Sequence, residues 1–532
     1  MVRVLVADRL AEQGLAILQR AAESGALAVD QRTGLGEAEL CEHVGDYDAL
    51  IVRSTPKVTA KVIEAARRLR VIGRAGIGVD NIDVAAATRK GIVVMNTPGG
   101  NNITTAEHAI SMLLALARFI PQATASMRAG KWEKSRFIGT EVCNKTLGIV
   151  GIGNIGGLVA ERARGLGMRV IAADPFISGE RARELEIELV DLDTLCARAD
   201  FISIHTPLTP ETRDLIAAPQ LAKMKPTARL INCARGGIVN EEALVNALRS
   251  GRLAGAALDV FAQEPPAPDH PLRQLEQVIS TPHLGAATDE AQVNVAVAIA
   301  EQVVDFLLHN VTRNAVNVPS VSAELLEILQ PYLTLGEKLG SLQAQLLEGA
   351  PTQVTIEYAG EVATTDTHPV TLAVLRGLLT RLMETSGVNY VNAPALARER
   401  GIRVVESRTT HSKGYRNLIT VTVKTAQRER EVAGAVFGRQ VERLVKIDNF
   451  YLETVLEGYI LMLHNLDVPG VVGAVGTLLG EAKINIAGLQ LGRERTGGMA
   501  ISLIHVDAPI PDPVLQRLRA LPNIVAADLL SL

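Results

Sequence analysis

A glycine-rich loop between a strand pattern and a helix pattern constrains this chain most. Residues 147–156 read LGIVGIGNIG, so an apolar strand leads directly into Gly151, Gly153 and Gly156. The next strand pattern ends on Asp174, about 20 residues further on. Glycines allow close backbone approach to a pyrophosphate, and the helix that follows directs its N–H groups at the phosphates. Because the Asp174 carboxylate would repel a 2′-phosphate, the motif predicts NAD rather than NADP. The alternative is a glycine-rich turn in an ordinary α/β domain.

Composition excludes several classes of protein. A chain of 532 residues has room for three or four domains of ~100–200 residues each. The net charge of −4 gives no electrostatic basis for binding nucleic acid or a membrane surface. Apolar runs stay below the ~18 residues of a membrane span, and MVRVLVADRL reads as a strand rather than a signal peptide. The four cysteines are widely spaced, so we expect no disulfide framework, no metal site and a cytoplasmic location.

Strand and helix patterns alternate up to about residue 310, which indicates parallel sheets with helices on both faces. Four strand patterns (VRVLVAD, ALIVRST, RVIGRAG, IVVMNT) precede the loop, and six (LGIVG, RVIAAD, FISIHTP, RLINCA, GAALDV, VISTPHL) begin with it. Long helices are predicted over Thr104–Ile120 and Asp289–Leu308. We expect two Rossmann-like or flavodoxin-like α/β lobes: a substrate lobe of residues 1–98 plus 293–318, and an NAD-binding lobe of residues 99–292.

The C-terminal part carries no phosphate loop. A linker at Asn317-Val318-Pro319-Ser320 leads into residues 319–457, where helices and half-exposed strands predict an intervening α+β domain. Residues 458–532 show a βαββαβ pattern, which is typical of a ferredoxin-like domain.

Three predicted strands after the loop end in polar residues. Arg235 follows NCA, Glu264 lies in DVFAQEP, and His283 follows TP. The carboxyl ends of parallel strands open onto the crevice that holds the dinucleotide, so these side chains are expected to converge there. His283 suits the base for a hydroxyl proton, Glu264 the carboxylate that fixes its tautomer, and Arg235 a clamp for a substrate carboxylate. The set predicts hydride transfer to or from a 2-hydroxy acid.

Each of these residues also has an ordinary structural explanation, and only their joint placement favours catalysis. Cys233 belongs to the same crevice but has no base beside it in the sequence, so it is predicted to pack. His205, at the end of a strand, is predicted to be structural.

The chain resembles the D-isomer-specific 2-hydroxyacid dehydrogenases over essentially its whole length. The run from 73 to 110, the glycine loop, NCARGGIVNEEAL, ALDVFAQEPP and TPHLGAATDEAQ carry the resemblance. It is similar to the long forms that add an intervening domain and a C-terminal ACT domain. The resemblance implies oxidation of 3-phospho-D-glycerate to 3-phosphohydroxypyruvate with NAD, the first step of phosphorylated L-serine biosynthesis. Alternatives are a hydroxypyruvate or glyoxylate reductase, and an amino-acid-sensing binding protein with an inert dehydrogenase half.

The resemblance also implies roles for individual residues. The catalytic set falls on Arg235, Glu264 and His283. Cofactor contacts fall on the loop and on the strand ends: Gly151, Gly153, Asn154, Ile155, Gly156, Asp174, Thr206, Pro207, Cys233, Ala234, Arg235, Asp259, His283, Gly285 and Ala286. Asp259 is expected to face the nicotinamide carboxamide. Substrate contacts fall on Arg53, Ser54, Gly76, Ile77, Gly78 and Asn101. Ile77 departs from the threonine of many relatives and removes a hydroxyl contact.

A substrate phosphate needs cations. Arg53, Lys57 and Arg74 follow strands of the first lobe, and we expect some of them to hold the phosphate. Lys134 and Arg136, which follow the single tryptophan, are weaker candidates because solvated basic residues are common at such positions.

The resemblance of the C-terminal domain to ACT modules implies an amino-acid effector. The loop between its first strand and first helix, together with the start of its second strand, suits an ammonium and a carboxylate. The expected effector residues are Asn465, Asp467, Val468, Gly470 and Asn485. We expect L-serine to bind there and to restrain lobe closure; the alternative is a dimerisation module without a ligand. Such modules pair, so a homodimer or homotetramer is predicted.

Overall fold

The computed structural model describes residues 1–318, 323–383, 387–411, 414–438 and 441–532. Two parallel α/β sheets are followed by a mixed sheet with helices on one face, and then by a four-stranded antiparallel sheet. The predicted fold class of two α/β lobes, an α+β domain and a ferredoxin-like domain is confirmed. Pro319 and Ser320 of the predicted linker lie outside the described residues.

The first lobe is built on five parallel strands. They are β1 (Val2–Val6), β2 (Leu27–Gln31), β3 (Ala49–Val52), β4 (Val71–Arg74) and β5 (Val93–Met95). The connecting helices are α1 (Glu12–Glu23), α2 (Glu37–His43), α3 (Ala60–Ala65) and α4 (Val84–Arg89). The spatial order is β2-β1-β3-β4-β5. The sequence pattern missed β2, an edge strand in which only Leu27 is fully buried, so its apolar signal is weak.

A bent helix pair leads into the second lobe: α5 (Asn102–Arg118) and α6 (Ile120–Arg128). The helix predicted over Thr104–Ile120 corresponds to α5, which ends where Phe119 takes a left-handed conformation with φ 53°. Its apolar face, including Ala106 and Leu113, packs on the second sheet. This contact fixes α5 against the strand ends that carry the candidate catalytic residues.

The second lobe contains seven parallel strands. They are β6 (Thr146–Val150), β7 (Arg169–Ala173), β8 (Glu188–Leu189), β9 (Phe201–Ile204), β10 (Arg229–Asn232), β11 (Gly255–Leu258) and β12 (Val278–Ser280). The helices are α7 (Asn154–Gly165), α8 (Gly179–Glu184), α9 (Leu192–Arg198), α10 (Ala218–Lys223), α11 (Glu241–Arg249) and α12 (Pro271–Gln274). The strands lie in the order β12-β11-β10-β9-β6-β7-β8. From the boundary between β6 and β9, successive strands are added outward in opposite directions, and ligands of such sheets bind at this boundary. The two-residue strand β8 was not predicted because it is too short to show a pattern.

Helix α13 (Asp289–His309) returns the chain to the first lobe, where Ile299 and Val303 lie in the core. It is long and apolar enough to cross a membrane by length and composition, as is the bent pair α5–α6 if counted as one span. Half of the most apolar window of α13 is buried within the molecule. A mostly buried core helix also passes this test of length and composition.

The middle region is a six-stranded sheet with three helices. The helices are α14 (Ala323–Leu346), α15 (His368–Met383) and α16 (Ala393–Glu399). The strands are β13 (Pro351–Gly360), β14 (Arg403–Thr409), β15 (Asn417–Thr425), β16 (Glu429–Phe437), β17 (Val441–Ile447) and β18 (Phe450–Thr454). They lie in the order β14-β13-β15-β16-β17-β18.

The C-terminal domain has the predicted βαββαβ order. Its elements are β19 (Tyr459–Leu466), α17 (Val471–Glu481), β20 (Ile486–Arg493), β21 (Met499–Val506), α18 (Asp512–Arg519) and β22 (Ile524–Ser531). The sheet order is β20-β21-β19-β22, and its helices cover one face.

The other face of this C-terminal sheet packs directly on the middle region. Met462, Leu503 and Leu530 belong to the same buried cluster as Leu342 of α14. At the edge, the Gln345 amide donates to the Ser531 carbonyl (3.1 Å), and the Ser531 N–H donates to Gln345 Oε1 (2.9 Å). The two regions therefore share one hydrophobic core.

We expect Leu503→Ala to lower the free energy of unfolding by about 2–5 kcal/mol, because the removed methyl groups leave a cavity in this shared core. Leu503 is 1% exposed, and the control Val525→Ala, at a side chain 65% exposed, should change it by less than ~0.5 kcal/mol. Urea unfolding followed by circular dichroism measures both. Equal effects of the two variants would contradict a shared core.

Candidate active site

A cavity of about 550 Å³ lies between the two lobes. The first lobe and the start of α5 contribute Arg74, Ile77, Gly78 and Asn101 to its wall. The second lobe contributes Asn154, Ile155, Thr206, Pro207, Cys233, Ala234, Arg235, His283, Gly285 and Ala286. The crevice therefore brings together residues that the sequence assigned separately to substrate and cofactor.

The glycine loop is shaped by close backbone contacts. Gly151 has φ 88°, a conformation that favours glycine, and a Cβ at Gly156 would lie 2.2 Å from the Gly151 carbonyl oxygen. Gly153 caps α7, whose first N–H groups lack intrahelical partners and open onto the crevice beside Asn154. This geometry fits a pyrophosphate.

Asp174, at the end of β7, is tied to the glycine loop. Its Oδ2 accepts the Ile152 N–H (2.8 Å) and its Oδ1 accepts the Phe176 N–H (2.8 Å). The carboxylate thus holds the end of the second strand against the loop that would carry the phosphates.

His283 and Glu264 are in direct contact. His283 Nδ1 lies 2.7 Å from Glu264 Oε2, and Glu264 Oε1 accepts the Phe261 N–H (3.1 Å). The hydrogen bond to Glu264 raises the pKa of His283 above its usual value. Burial alone would raise the pKa of Glu264, but the hydrogen bonds from His283 and Phe261 lower it below its usual value. With Nδ1 bound to the carboxylate, Nε2 is the nitrogen that remains for a ligand.

Arg235 connects the two lobes. Its Nε donates to Asp80 Oδ2 (2.9 Å) and its Nη1 to the Ala234 carbonyl (2.7 Å). A Cβ at Gly78 would lie 1.9 Å from Arg235 Nη2, so a larger residue there would displace the guanidinium from this position. Sequence reasoning missed Asp80, which follows the predicted Gly76–Gly78 turn by two residues and could have been found as its acidic neighbour.

Arg74 is a largely buried cation in the crevice wall. Burial, together with the nearby charges of Arg235 and Arg53, lowers the pKa of its guanidinium to about 10, although Asp80 and Asp8 oppose the decrease. Arg53, which influences Arg74 electrostatically, lies outside the cavity wall, as do the exposed Ser54 and Lys57. The three arginines repel one another, so an anion placed among them would be strongly favoured.

Three buried polar atoms in the crevice wall have no hydrogen-bond partner among the described residues. They are Arg74 Nε, Asn101 Oδ1 and Thr206 Oγ1. Buried polar groups are normally paired, so these donors and acceptors indicate where a polar ligand binds. A dinucleotide on the Thr206 side and an anionic substrate on the Arg74 side fit this pattern.

The turn after β4 shapes the substrate side of the crevice. Gly76 has φ 143°, its N–H donates to Thr97 Oγ1 (2.8 Å), and the Ile77 carbonyl accepts the Asn96 amide (2.6 Å). Asn96, which also lines the cavity, was not predicted.

Asp259 does not line the cavity between the lobes; with Glu264 and His283 it lines an adjoining cavity of about 490 Å³. It is 1% exposed, and its carboxylate accepts Thr281 Oγ1 (2.5 Å), the Leu284 N–H (2.7 Å) and the Gly285 N–H (2.8 Å). Its contacts support the loop that carries His283.

Other titratable groups near the crevice have structural contacts. Burial lowers the pKa of His205 to about 4, and its Nε2 lies 2.8 Å from Ser203 Oγ. Burial raises the pKa of the Cys233 thiol far above its usual value, so it carries little thiolate at neutral pH. Arg136 pairs with Glu133 and Glu276, and neither Arg136 nor Lys134 lines the crevice cavity.

The predicted effector residues make contacts within the C-terminal domain. Asn465 is buried and accepts Ser502 Oγ (3.1 Å), and the Asn485 amide donates to Asp507 (2.7 Å). Asp467 accepts Arg493 Nη1 (3.2 Å). The helix α17 starts at the αL residue Gly470, beside the half-exposed Val468.

Comparisons with known proteins agree with this architecture. Residues 110–285 match the NAD-binding domain of D-isomer specific 2-hydroxyacid dehydrogenases, 328–448 a D-3-phosphoglycerate dehydrogenase intervening domain, and 459–523 an ACT domain. The chain is 48% identical to a D-3-phosphoglycerate dehydrogenase of a Synechocystis strain, over 97% of this chain and 92% of that protein. It is 45% identical to that of Archaeoglobus fulgidus, over the full length of both.

A solved structure shares the two-lobed half. The NAD-dependent formate dehydrogenase of Staphylococcus aureus, in complex with NAD, is 32% identical, with a TM-score of 0.54 over 60% of this chain and 100% of that one. The chain thus belongs to the D-3-phosphoglycerate dehydrogenases, within the D-isomer-specific 2-hydroxyacid dehydrogenase family. Its residues 110–285 are an NAD-binding domain of that family, so NAD is the cofactor.

Glu264→Gln tests the electrostatic pairing with His283. Because the carboxylate raises the pKa of His283, its loss should move the acidic limb of the kcat/KM profile for alcohol oxidation to lower pH. We expect kcat to fall by about 100-fold or more, since the imidazolium loses its stabilising partner. Initial rates of NADH formation across pH measure both quantities. An acidic limb unchanged from wild type would contradict the pairing.

Proposed function

We propose that this enzyme oxidises 3-phospho-D-glycerate to 3-phosphohydroxypyruvate with NAD, the first step of phosphorylated L-serine biosynthesis. The observation that carries the proposal is the 2.7 Å contact between His283 and Glu264, where His283 lines a crevice shared with the start of α7 and with Arg74 and Arg235. The named activity of the full-length relatives supports the same substrate.

The catalytic roles follow from the geometry. His283, neutral and held through Nδ1 by Glu264, takes the hydroxyl proton at Nε2, and the resulting imidazolium is stabilised by the carboxylate. NAD held by the glycine loop would supply the acceptor for the hydride that leaves the carbon bearing this hydroxyl. Arg235, fixed by Asp80, holds the substrate carboxylate and polarises the developing carbonyl.

The phosphate is the feature that separates this substrate from other 2-hydroxy acids. Arg74, buried with an unpartnered Nε, and the neighbouring Arg53 supply two cations on the substrate side. Their mutual repulsion in the free enzyme favours a dianion over an uncharged group. This charge pattern favours phosphoglycerate over the glyoxylate or hydroxypyruvate of related reductases.

We expect Arg53→Ala to raise KM for 3-phosphoglycerate by about 10- to 100-fold with a smaller change in kcat, because a charge-assisted contact to the phosphate is lost. The matched control, Arg67→Ala, removes an exposed cation of the same lobe that pairs with Asp46 and should leave KM unchanged. NADH formation with 3-phosphoglycerate measures both, and NADH consumption with hydroxypyruvate shows whether the phosphate matters. Equal KM for wild type and Arg53→Ala would remove Arg53 from the site.

We propose that the chain forms a homodimer or a homotetramer, because its surface carries exposed apolar side chains. Large apolar side chains crowd one stretch of the second lobe and remain exposed: Ile120, Met127, Trp132 and Ile138. Trp132 alone is 81% exposed. Contiguous exposed apolar residues of this kind are typical of protein–protein interfaces, and a second copy of the chain is the partner. The C-terminal strand β20 adds a second apolar edge with Leu489 and Leu491.

We also propose that L-serine binds the C-terminal domain at the loop 465–470 and at Asn485. Asp467 offers a carboxylate to the ammonium, and the N–H groups at the start of α17 suit the carboxylate. Two contacts within the domain occupy these groups: Asn485 with Asp507, and Asp467 with Arg493. When serine binds, these contacts must rearrange or be shared with a second copy of the chain. Because the C-terminal and middle regions share one core, serine would act on both together.

Calorimetric titration with L-serine tests the effector site. Wild type should release or absorb heat and lose dehydrogenase rate in the same concentration range. Asp467→Ala should abolish the heat because the ammonium loses its counter-charge, while Asp512→Ala, an exposed acid of the same domain, should bind like wild type. Absence of both heat and inhibition in wild type would leave the domain a role in assembly only.

We propose domain boundaries at residues 98, 292, 318 and 457. The cytoplasmic location expected from the sequence also stays a prediction. The four cysteines, Cys41, Cys143, Cys196 and Cys233, are unpaired in the structure.

A further inference from the structure

The backbone at His283 is strained. Its φ of 55° places a non-glycine residue in the left-handed region, a strained conformation that persists only where the surroundings enforce it. The His283 N–H donates to the Asp259 carbonyl (2.9 Å) and to the Thr281 carbonyl (3.0 Å). The loop is therefore pinned at the residue whose imidazole must meet Glu264.

The Asp259 side chain holds the next two residues of the same loop. Its Oδ1 accepts the Leu284 N–H and its Oδ2 the Gly285 N–H, at 2.7 and 2.8 Å. One buried carboxylate thus fixes both peptide groups that follow His283. If this carboxylate were to rotate or take up a proton, the left-handed turn would lose its main support.

Burial would favour the protonated form of Asp259 unless neighbouring groups stabilised its charge. Burial would raise its pKa, but hydrogen bonds, first from His108 and then from Thr281 and Leu284, lower it below the usual value. Its charge adds to that of Glu264 in raising the pKa of His283, whereas Arg235 opposes the increase. Asp259 therefore influences both the position and the basicity of the imidazole.

His108 supplies a side-chain donor from outside the crevice. It lies on α5, with Nε2 3.2 Å from Asp259 Oδ1 and 3.1 Å from Thr281 Oγ1. An ionised carboxylate can only accept hydrogen bonds. The Thr281 hydroxyl donates its proton to this carboxylate, so towards His108 its oxygen acts as an acceptor. Both contacts therefore require that Nε2 of His108 carries a proton. His108 does not line the cavity between the lobes; it faces a second cavity with Ser111 and Glu276 on the opposite side of β12.

We propose that His108 is a positioning residue for the dehydrogenase reaction: its Nε2–H holds the Asp259 carboxylate ionised and in register, and that carboxylate aims the strained His283 at Glu264. This inference rests on the proposed function, because it gives His108 a role only through the base of that reaction. It also explains why a histidine, His108, interrupts the apolar face of α5 beside Met112. The groups that set the titration of His283 are Glu264, Asp259 and Arg235.

Three variants of His108 test the proposal in the full chain. His108→Leu should lower kcat by about 10- to 100-fold, since a small displacement of a catalytic group has that effect. It should also shift the acidic limb of oxidation to lower pH, because a less ionised Asp259 no longer raises the pKa of His283. His108→Gln, whose amide can donate at the same place, should recover most of both properties. Should His108→Leu fail to fold, His108→Asn, which is too short to reach Asp259, should show the same two defects.

The control is Ser111→Ala, one turn further along α5 and facing the same cavity as His108. It should match wild type in kcat and in its pH profile. A purely structural role of His108 predicts lower thermal stability in all three variants with the pH profile unmoved, and that result would overturn the proposal. So would wild-type kinetics in His108→Leu or His108→Asn.

A measurement independent of substrate separates this inference from the proposed function. The pKa of His283, followed by NMR of its imidazole protons in the free enzyme, should fall in His108→Leu and stay near the wild-type value in His108→Gln. If wild type failed to oxidise 3-phosphoglycerate while these shifts appeared, the substrate assignment would be wrong and the role of His108 would stand. If the His283 pKa were equal in all variants, the role of His108 would be wrong whatever the substrate.

Discussion

The hydrogen bond between His283 Nδ1 and Glu264 Oε2 is the contact on which the active site depends. It joins residues that follow two adjacent strands, β11 and β12, and it determines which imidazole nitrogen faces the crevice. The loop after β12 that carries His283 contains a left-handed residue, and hydrogen bonds to Asp259 support it. The reactive geometry is thus maintained by a buried carboxylate that does not itself line the crevice.

Contacts between the two lobes determine how charged groups are arranged on the substrate side of the crevice. Arg235 reaches from the second lobe to Asp80 of the first, and Gly78 leaves the space that its guanidinium occupies. Arg74 and Arg53 add positive charge next to it, at an energetic cost in the free enzyme that an anionic substrate removes. A carboxylate and a phosphate on the same small molecule satisfy both parts of this arrangement.

The regulatory half is physically continuous. The C-terminal sheet packs its free face on α14, so the middle and C-terminal regions share one core. The middle region in turn contacts the substrate lobe, where Val391 joins the core of that lobe and the Asn389 amide donates to the Gly91 carbonyl (2.9 Å). Packed contacts therefore connect the C-terminal domain, through the middle region, to the first lobe.

Local sequence was sufficient for features that depend on neighbouring residues. The glycine loop, the strand that follows it, the long helices α5 and α13, and the βαββαβ order were all predictable, because backbone conformation and apolar periodicity are local properties. The edge strand β2 and the short β8 were missed, since partial burial and two-residue length leave little periodic signal. Arg235, Glu264 and His283 could be nominated together because parallel strands end on one side of a sheet. Asn96 and His108 could not, because each acquires its role by contacting a residue that is distant in the sequence. Asp80 was missed although its position two residues after the Gly76–Gly78 turn was a usable signal. The sequence alone determined the sheets and the cofactor class; the tertiary structure decided which charges face each other across the crevice, because only the packing of one lobe against the other sets those distances.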